Sequence, residues 1–244
     1  MLRLMAFLGS WLATGCAERP QELFFEPPLS DRSAIIFVPG FYGSSLREKN
    51  MGRRLFISAS ETFFGKSALS LFQGSLNTPH GPPLEAEGVL GTVVLFPFLY
   101  EVDAYGPFLK KLSSLAPQSQ IIPFAYDWRD DLELAVSKLG SLVEKLKQKG
   151  APSVTIMSHS MGGLVAAYYL AYGAQSSERA KANWAGAQLV NRAIFFGTPF
   201  RGSMIAFRSF EKGSGLPFSS RLLSADAMSS FPSMYQLIPQ SNFL

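Results

Sequence analysis

The run Val154-Thr155-Ile156-Met157 leads straight into Ser158-His159-Ser160-Met161-Gly162-Gly163, and an Ala-rich segment follows. An apolar strand, a sharp turn and then a helix is the setting in which a Ser hydroxyl is lifted onto a strained turn as a nucleophile. Such a turn brings strand and helix backbones close together, so small residues are needed two before and two after the Ser. Ser158 and Gly162 meet that need, with Ser158 in the place of the first Gly of G-x-S-x-G. Ser160 is therefore the candidate nucleophile. Its chemistry would be attack on an acyl carbonyl and formation of an acyl-enzyme. The backbone N–H of Met161, at the helix N-terminus, is a candidate donor to the oxyanion formed in that attack. The competing reading of the same residues is an ordinary helix N-terminus.

A second donor should come from a loop after an earlier strand. Val38-Pro39-Gly40-Phe41-Tyr42-Gly43-Ser44 is a tight, Gly-containing loop directly after an apolar run, and the N–H of Phe41, beside Gly40, is the candidate. A base is harder to find, because the chain has two His. His159 adjoins the nucleophile, but neighbouring side chains diverge on such a turn. His80 lies far upstream, where a residue of an inserted lid is the plainer reading.

Four short apolar runs must position these groups: Ala34 to Val38, Ile121 to Ala125, Val154 to Met157 and Ala193 to Phe196. Their continuous apolar character predicts strands covered on both faces, as in a parallel sheet. Between the second and third, Leu132, Val136, Leu139, Val143 and Leu146 share one helical face, with Asp130 or Asp131 as cap and Gly150 and Pro152 at the end. A second helix follows Ser160 with Leu164, Tyr168 and Ala171 on one side and Gly173 at its close. Strands alternating with helices imply an α/β fold with a parallel sheet, flanking helices and right-handed connections. Residues 51–90 break this rhythm and read as an inserted cap or lid.

Composition narrows the class further. The chain has 244 residues, 47% of them hydrophobic and 16% charged, with 21 Phe and one Cys. Charge this sparse, against roughly 25% in soluble domains, excludes disorder and coiled coil. One Cys excludes a disulfide scaffold and a four-thiolate zinc site. Lys and Arg outnumber Asp and Glu by 22 to 18, but the surplus is dispersed, so nucleic acid is a poor partner.

The N-terminus carries its own signal. Arg3, the apolar stretch Leu4 to Leu12 and the small residues Ala13-Thr14-Gly15 precede Cys16, which predicts a signal peptide over 1–15, too short to span a bilayer. Leu12 to Cys16 resembles the lipobox of bacterial lipoproteins, with Ala13 where Leu is usual. That resemblance implies a lipidated Cys16 on the membrane surface, a tether over 16–33 and a place in the bacterial cell envelope. A buried N-terminal helix is the alternative.

Five segments together resemble one family, the lecithin:cholesterol acyltransferase-like lipases and acyltransferases of the α/β-hydrolase superfamily, the bacterial branch above all. They are residues 38–44, Ala125-Tyr126-Asp127-Trp128-Arg129, residues 158–162, Gly197-Thr198-Pro199-Phe200-Arg201-Gly202-Ser203, and Ser230-Phe231-Pro232-Ser233-Met234-Tyr235. The resemblance implies Ser160 as acyl-accepting nucleophile, Phe41 and Met161 as oxyanion donors, and Asp127 paired with Arg129 to support the site. It implies a lipid ester as substrate, with neither metal nor cofactor.

One departure stands out. The superfamily order is Ser, then Asp or Glu, then His, whereas no His follows Ser160 and Asp226 is the single later Asp. The hydrolase domain over 34–244 is thus expected to be incomplete, with later strands, Asp and His missing or supplied by a second chain. Without a base, catalysis by this chain alone should be feeble. A lipoprotein that binds lipid or a partner without turnover is the alternative reading. Ile194-Phe195-Phe196 would then lie on an unpaired, association-prone sheet edge.

Overall fold

The structure is a computed structural model that describes residues 30–50, 52–56, 69, 71, 83–96, 100–213 and 223–239, the stretches 92–96 and 100–103 by their backbone. The predicted signal peptide, Cys16, most of the tether, His80 and the middle of the predicted lid lie outside these residues.

Strands β1 (Ser33–Val38), β7 (Ser119–Pro123), β8 (Val154–His159) and β9 (Arg192–Phe196) form a parallel sheet in the order β7-β1-β8-β9. Ile36 pairs with Ile122 on one side and Ile156 on the other, and Met157 pairs with Ile194. Each of the four apolar runs falls on one of these strands; the expected cover on both faces holds best for the inner strand β1, whereas no residue of the edge strand β9 is buried among the described residues. The end of the expected tether belongs to the sheet: Ser33 opens β1, and the Ser30 hydroxyl donates to the Gln120 side chain.

Helix α1 (Gly106–Leu115) precedes β7, and helix α2 (Leu132–Gln148) precedes β8. Asp131 caps α2 by accepting from the Glu133 N–H, and Leu132, Val136, Leu139, Val143 and Leu146 are buried as the spacing requires. Helix α3 (Gly162–Tyr172) follows the Ser160 turn. Its buried stripe is Gly162, Gly163, Val165, Ala166 and Tyr169, whereas Leu164, Tyr168 and Ala171 are half-buried, which corrects the predicted face. The physical reason is that α3 is apolar all round, so its sequence carries no phase.

The segment expected as a lid is more integrated than its composition suggests. Its ends form strands β3 (Arg54–Phe56) and β4 (Leu84–Val89), which flank β2 (Ser44–Glu48) in an antiparallel sheet. Leu55, Phe56 and Leu84 join the main core, while Arg47–Glu85 and Arg54–Glu87 ion pairs cross between strands. β5 (Thr92–Phe96) and β6 (Tyr100–Asp103) make a hairpin leading to α1. The chain continues through the short α4 (Ala185–Leu189) before β9, and through α5 (Met204–Lys212), α6 (Ala225–Ser229) and α7 (Pro232–Gln236) after it.

Candidate functional site

Ser160 sits between β8 and α3 with φ of 51°, a left-handed conformation unusual for a residue with a side chain. The strain is held from both sides. The Ser160 N–H donates to the Phe196 carbonyl at 2.8 Å, and the Gly163 N–H donates to the Ser160 carbonyl at 2.9 Å. Small neighbours make the turn feasible: a Cβ on Gly162 would lie 2.5 Å from the Val38 carbonyl oxygen, and one on Gly163 would overlap the Thr198 side chain. Ser158 is fully buried, and its hydroxyl donates to the Ile194 carbonyl at 3.2 Å, so Ser is accommodated where Gly is usual. The Thr198 hydroxyl oxygen is buried with no hydrogen-bond partner among the described residues.

The loop after β1 lies directly on this turn. A Cβ on Gly40 would come 2.8 Å from the Ser160 Cβ, so the loop can approach because that position is Gly. The Gly43 N–H closes the loop onto the Gly40 carbonyl at 2.9 Å. The N–H groups of Phe41 and Met161 meet no acceptor among the described residues. Two unengaged donors beside a Ser hydroxyl have the composition of an oxyanion hole, with α3 adding its positive N-terminal end.

The Tyr126-Asp127-Trp128-Arg129 segment braces this loop from behind. The Tyr126 hydroxyl donates to the Pro39 carbonyl at 2.9 Å and the Trp128 indole N–H to the Ser44 carbonyl at 2.9 Å. Complete burial pushes the Tyr126 phenol far above its ordinary pKa, so it remains a neutral donor. Asp127 and Arg129 form a two-pronged pair at 2.6 and 2.9 Å, and the buried guanidinium also donates to the Leu69 carbonyl at 2.8 Å. The Ser233 hydroxyl bonds the Trp128 carbonyl at 2.7 Å. Phe41 turns its ring into the resulting aromatic cluster, edge-on to Trp128 at 4.8 Å.

His159 engages Tyr105, with no hydrogen bond to Ser160 among the described residues. Its Nδ1 lies 2.8 Å from the hydroxyl of Tyr105, which also accepts the Gly40 N–H at 3.0 Å. Desolvation lowers the His159 pKa and raises that of Tyr105, which keeps both groups neutral near pH 7. The Ser160 hydroxyl makes no hydrogen bond to an imidazole or carboxylate among the described residues. Asp226 lies exposed in the first turn of α6. Among the described residues no cluster of His, Cys, Asp and Glu could hold a metal. Tyr105 is the site residue that the sequence did not reveal. It stands 65 residues from Gly40 and 54 from His159, and nothing in its local pattern sets it apart from a helix-preceding aromatic.

A parallel β-sheet flanked by helices, with a Ser at the strained strand-to-helix turn, defines an α/β hydrolase. Within that class the chain belongs to the lecithin:cholesterol acyltransferase family, whose model matches residues 105–244, more than half of its length. It is 28% identical over 138 residues to the uncharacterized protein YJR098C of Saccharomyces cerevisiae, a match covering 54% of this chain and 20% of the yeast protein. The chain thus spans about a fifth of the length of that relative. Its fold is similar to one in the crystal structure of the Tle4–Tli4 complex, with a TM-score of 0.52, 14% identity and coverage of 88% of this chain and 56% of that one. The mature lipase BlEst2 of Bacillus licheniformis aligns at a TM-score of 0.42 and 16% identity, over 87% of this chain and 60% of the lipase.

Proposed function

We propose that this chain carries the nucleophile half of a serine-dependent acyl-transfer site that acts on lipid esters. The observation that carries the reading is Ser160 at a positive φ, with Gly40 packed against its Cβ and the Phe41 and Met161 amides without an acceptor among the described residues. In the first step the Ser160 Oγ bonds to the ester carbonyl carbon and its proton passes to a base. The amides of Phe41 and Met161 hold the carbonyl oxygen as it gains charge. Collapse expels the alcohol, which takes up that proton, and leaves acyl-Ser160. Water or an acceptor alcohol then attacks, giving a free acid or a new ester. Asp127 and Arg129 hold the loop in place and take no part in the chemistry.

His159 is committed to Tyr105, so the base comes from outside the described residues, and a second chain supplying Asp and His is one source of it. A lipidated Cys16 places this half at the bacterial envelope, beside its substrate. Among the described residues no imidazole or carboxylate bonds Ser160, which favours one other reading, a lipid- or partner-binding protein without turnover. A fluorophosphonate probe separates the two. Labelling that disappears in Ser160→Ala supports the enzyme. Folded protein that stays unlabelled, even with imidazole added as a substitute base, overturns it in favour of binding.

A further inference from the structure

The Gly40–Phe41 peptide carries the N–H proposed above as an oxyanion donor, and Gly is the residue type freest to rotate it away. Two bonds remove that freedom. The Gly43 N–H holds the Gly40 carbonyl, and the Tyr105 hydroxyl holds the Gly40 N–H. A phenol has one proton and two lone pairs. With one lone pair on Gly40, its proton can go to Nδ1 of His159, 2.8 Å away, an arrangement that would put the imidazole proton on Nε2.

The Tyr105 ring is itself anchored. It stands edge-on to Phe37 at 4.9 Å, and a Cβ on Gly43 would lie 3.1 Å from its Cε2. The Tyr105 N–H bonds the Leu90 carbonyl, while the Leu90 N–H bonds the Gly43 carbonyl. One hydroxyl on a fixed ring thus touches both halves of the site.

We propose that Tyr105 is the positioning residue of the Ser160 site: its hydroxyl couples the loop after β1 to the elbow and so aims the Phe41 and Met161 amides at one point. This rests on Ser160 being the nucleophile. Phe41 directly follows Gly40, and Met161 comes two residues after His159, so a fixed Gly40–Tyr105–His159 link fixes the spacing of the two donors. Donors of this kind act by being in place before charge develops.

Tyr105→Phe in the full chain keeps the ring and deletes the hydroxyl. Fluorophosphonate labelling of Ser160 should slow about 10- to 100-fold, the cost of a slight misplacement at a reacting centre. Gly40 amide exchange should quicken, and the nitrogen NMR shifts of His159 should move from one tautomer to a mixture. His159→Ala, which leaves the Gly40 bond intact, should slow labelling less, and the double variant should be no slower than Tyr105→Phe alone. Wild-type labelling rates in Tyr105→Phe, or losses that multiply in the double variant, overturn the proposal. If Tyr105→Phe does not fold, the other two measurements decide it. Slowed His159→Ala with wild-type His159 protonated at Nε2 supports the link, and a proton on Nδ1 or an unslowed variant overturns it. If the wild type is never labelled, the assignment of Ser160 fails instead, and the Tyr105 link is judged by Gly40 exchange and the His159 spectrum.

Discussion

The two edges of β8 face different surroundings. On one side β1 is enclosed between β7 and β8, with Ile36, Phe37 and Val38 buried, and the loop that follows it is tied by Tyr105, Tyr126 and Trp128. On the other side β9 pairs with β8 alone among the described residues, and no residue of β9 is fully buried. Beyond it Phe200 is 59% exposed and Ile205, in α5, 77%. Ser160 lies where these regions meet, since its N–H donates to the last carbonyl of β9 while Gly40 touches its Cβ. The tight side therefore carries the Phe41 loop and the bonds that brace it, whereas the open side supplies one of the bonds that hold the strained turn at Ser160.

Substitutions on the tight side should be far more damaging. Arg129→Met leaves Asp127 without its guanidinium partner and also removes the bond to Leu69. Because breaking a buried ion pair from one end strands a charge, the expected loss is about 3–5 kcal/mol in urea unfolding. Converting Asp127 to Asn in the same background should recover part of it, and an equal loss in both variants would mean that the pair braces nothing. Next in size is Gly162→Ala, whose new Cβ would press on the carbonyls of Val38 and Pro39. Neither backbone can retreat without moving β1 or α3, so about 1–3 kcal/mol should be lost, and fluorophosphonate labelling should fall with it. Unchanged stability in Gly162→Ala would show that the loop and the helix are looser than their contact implies.

The same contrast explains what could be read in the amino acids alone. The elbow was legible because its demands are local: small residues at Ser158 and Gly162 after an apolar strand leave few alternatives. The parallel strands were legible from apolar runs, and α2 from its spacing and its Asp131 cap. Tyr105 was not legible, since its partners are distant in the chain and one hydroxyl leaves no periodic trace. The β2–β4 sheet was missed for another reason. Its strands carry Arg47, Arg54, Glu85 and Glu87, which pair across the sheet and make the segments look like loop. The buried face of α3 was misassigned because tertiary packing selects the face of a helix that is apolar all round.

The smallest stability change is expected on the open side. Ile205 occupies the first turn of α5, where Ser203 caps the helix and its own side chain meets water. Replacing it with Glu removes exposed apolar surface and places a negative charge near the positive helix end, which is mildly favourable. Stability should therefore change by no more than about 0.5 kcal/mol. Solubility should respond more strongly, because Ile205 belongs to a stretch with exposed Phe200, Met204 and Phe207 next to the half-open strand β9. Exposed apolar surface beside a strand edge that pairs with nothing among the described residues promotes association between copies. Sedimentation of Ile205→Glu over a concentration series should show less self-association than the wild type at unchanged labelling of Ser160. Equal association in the two proteins would locate the contact away from α5, and a loss of labelling would show that the open side does more than anchor the Phe196 carbonyl.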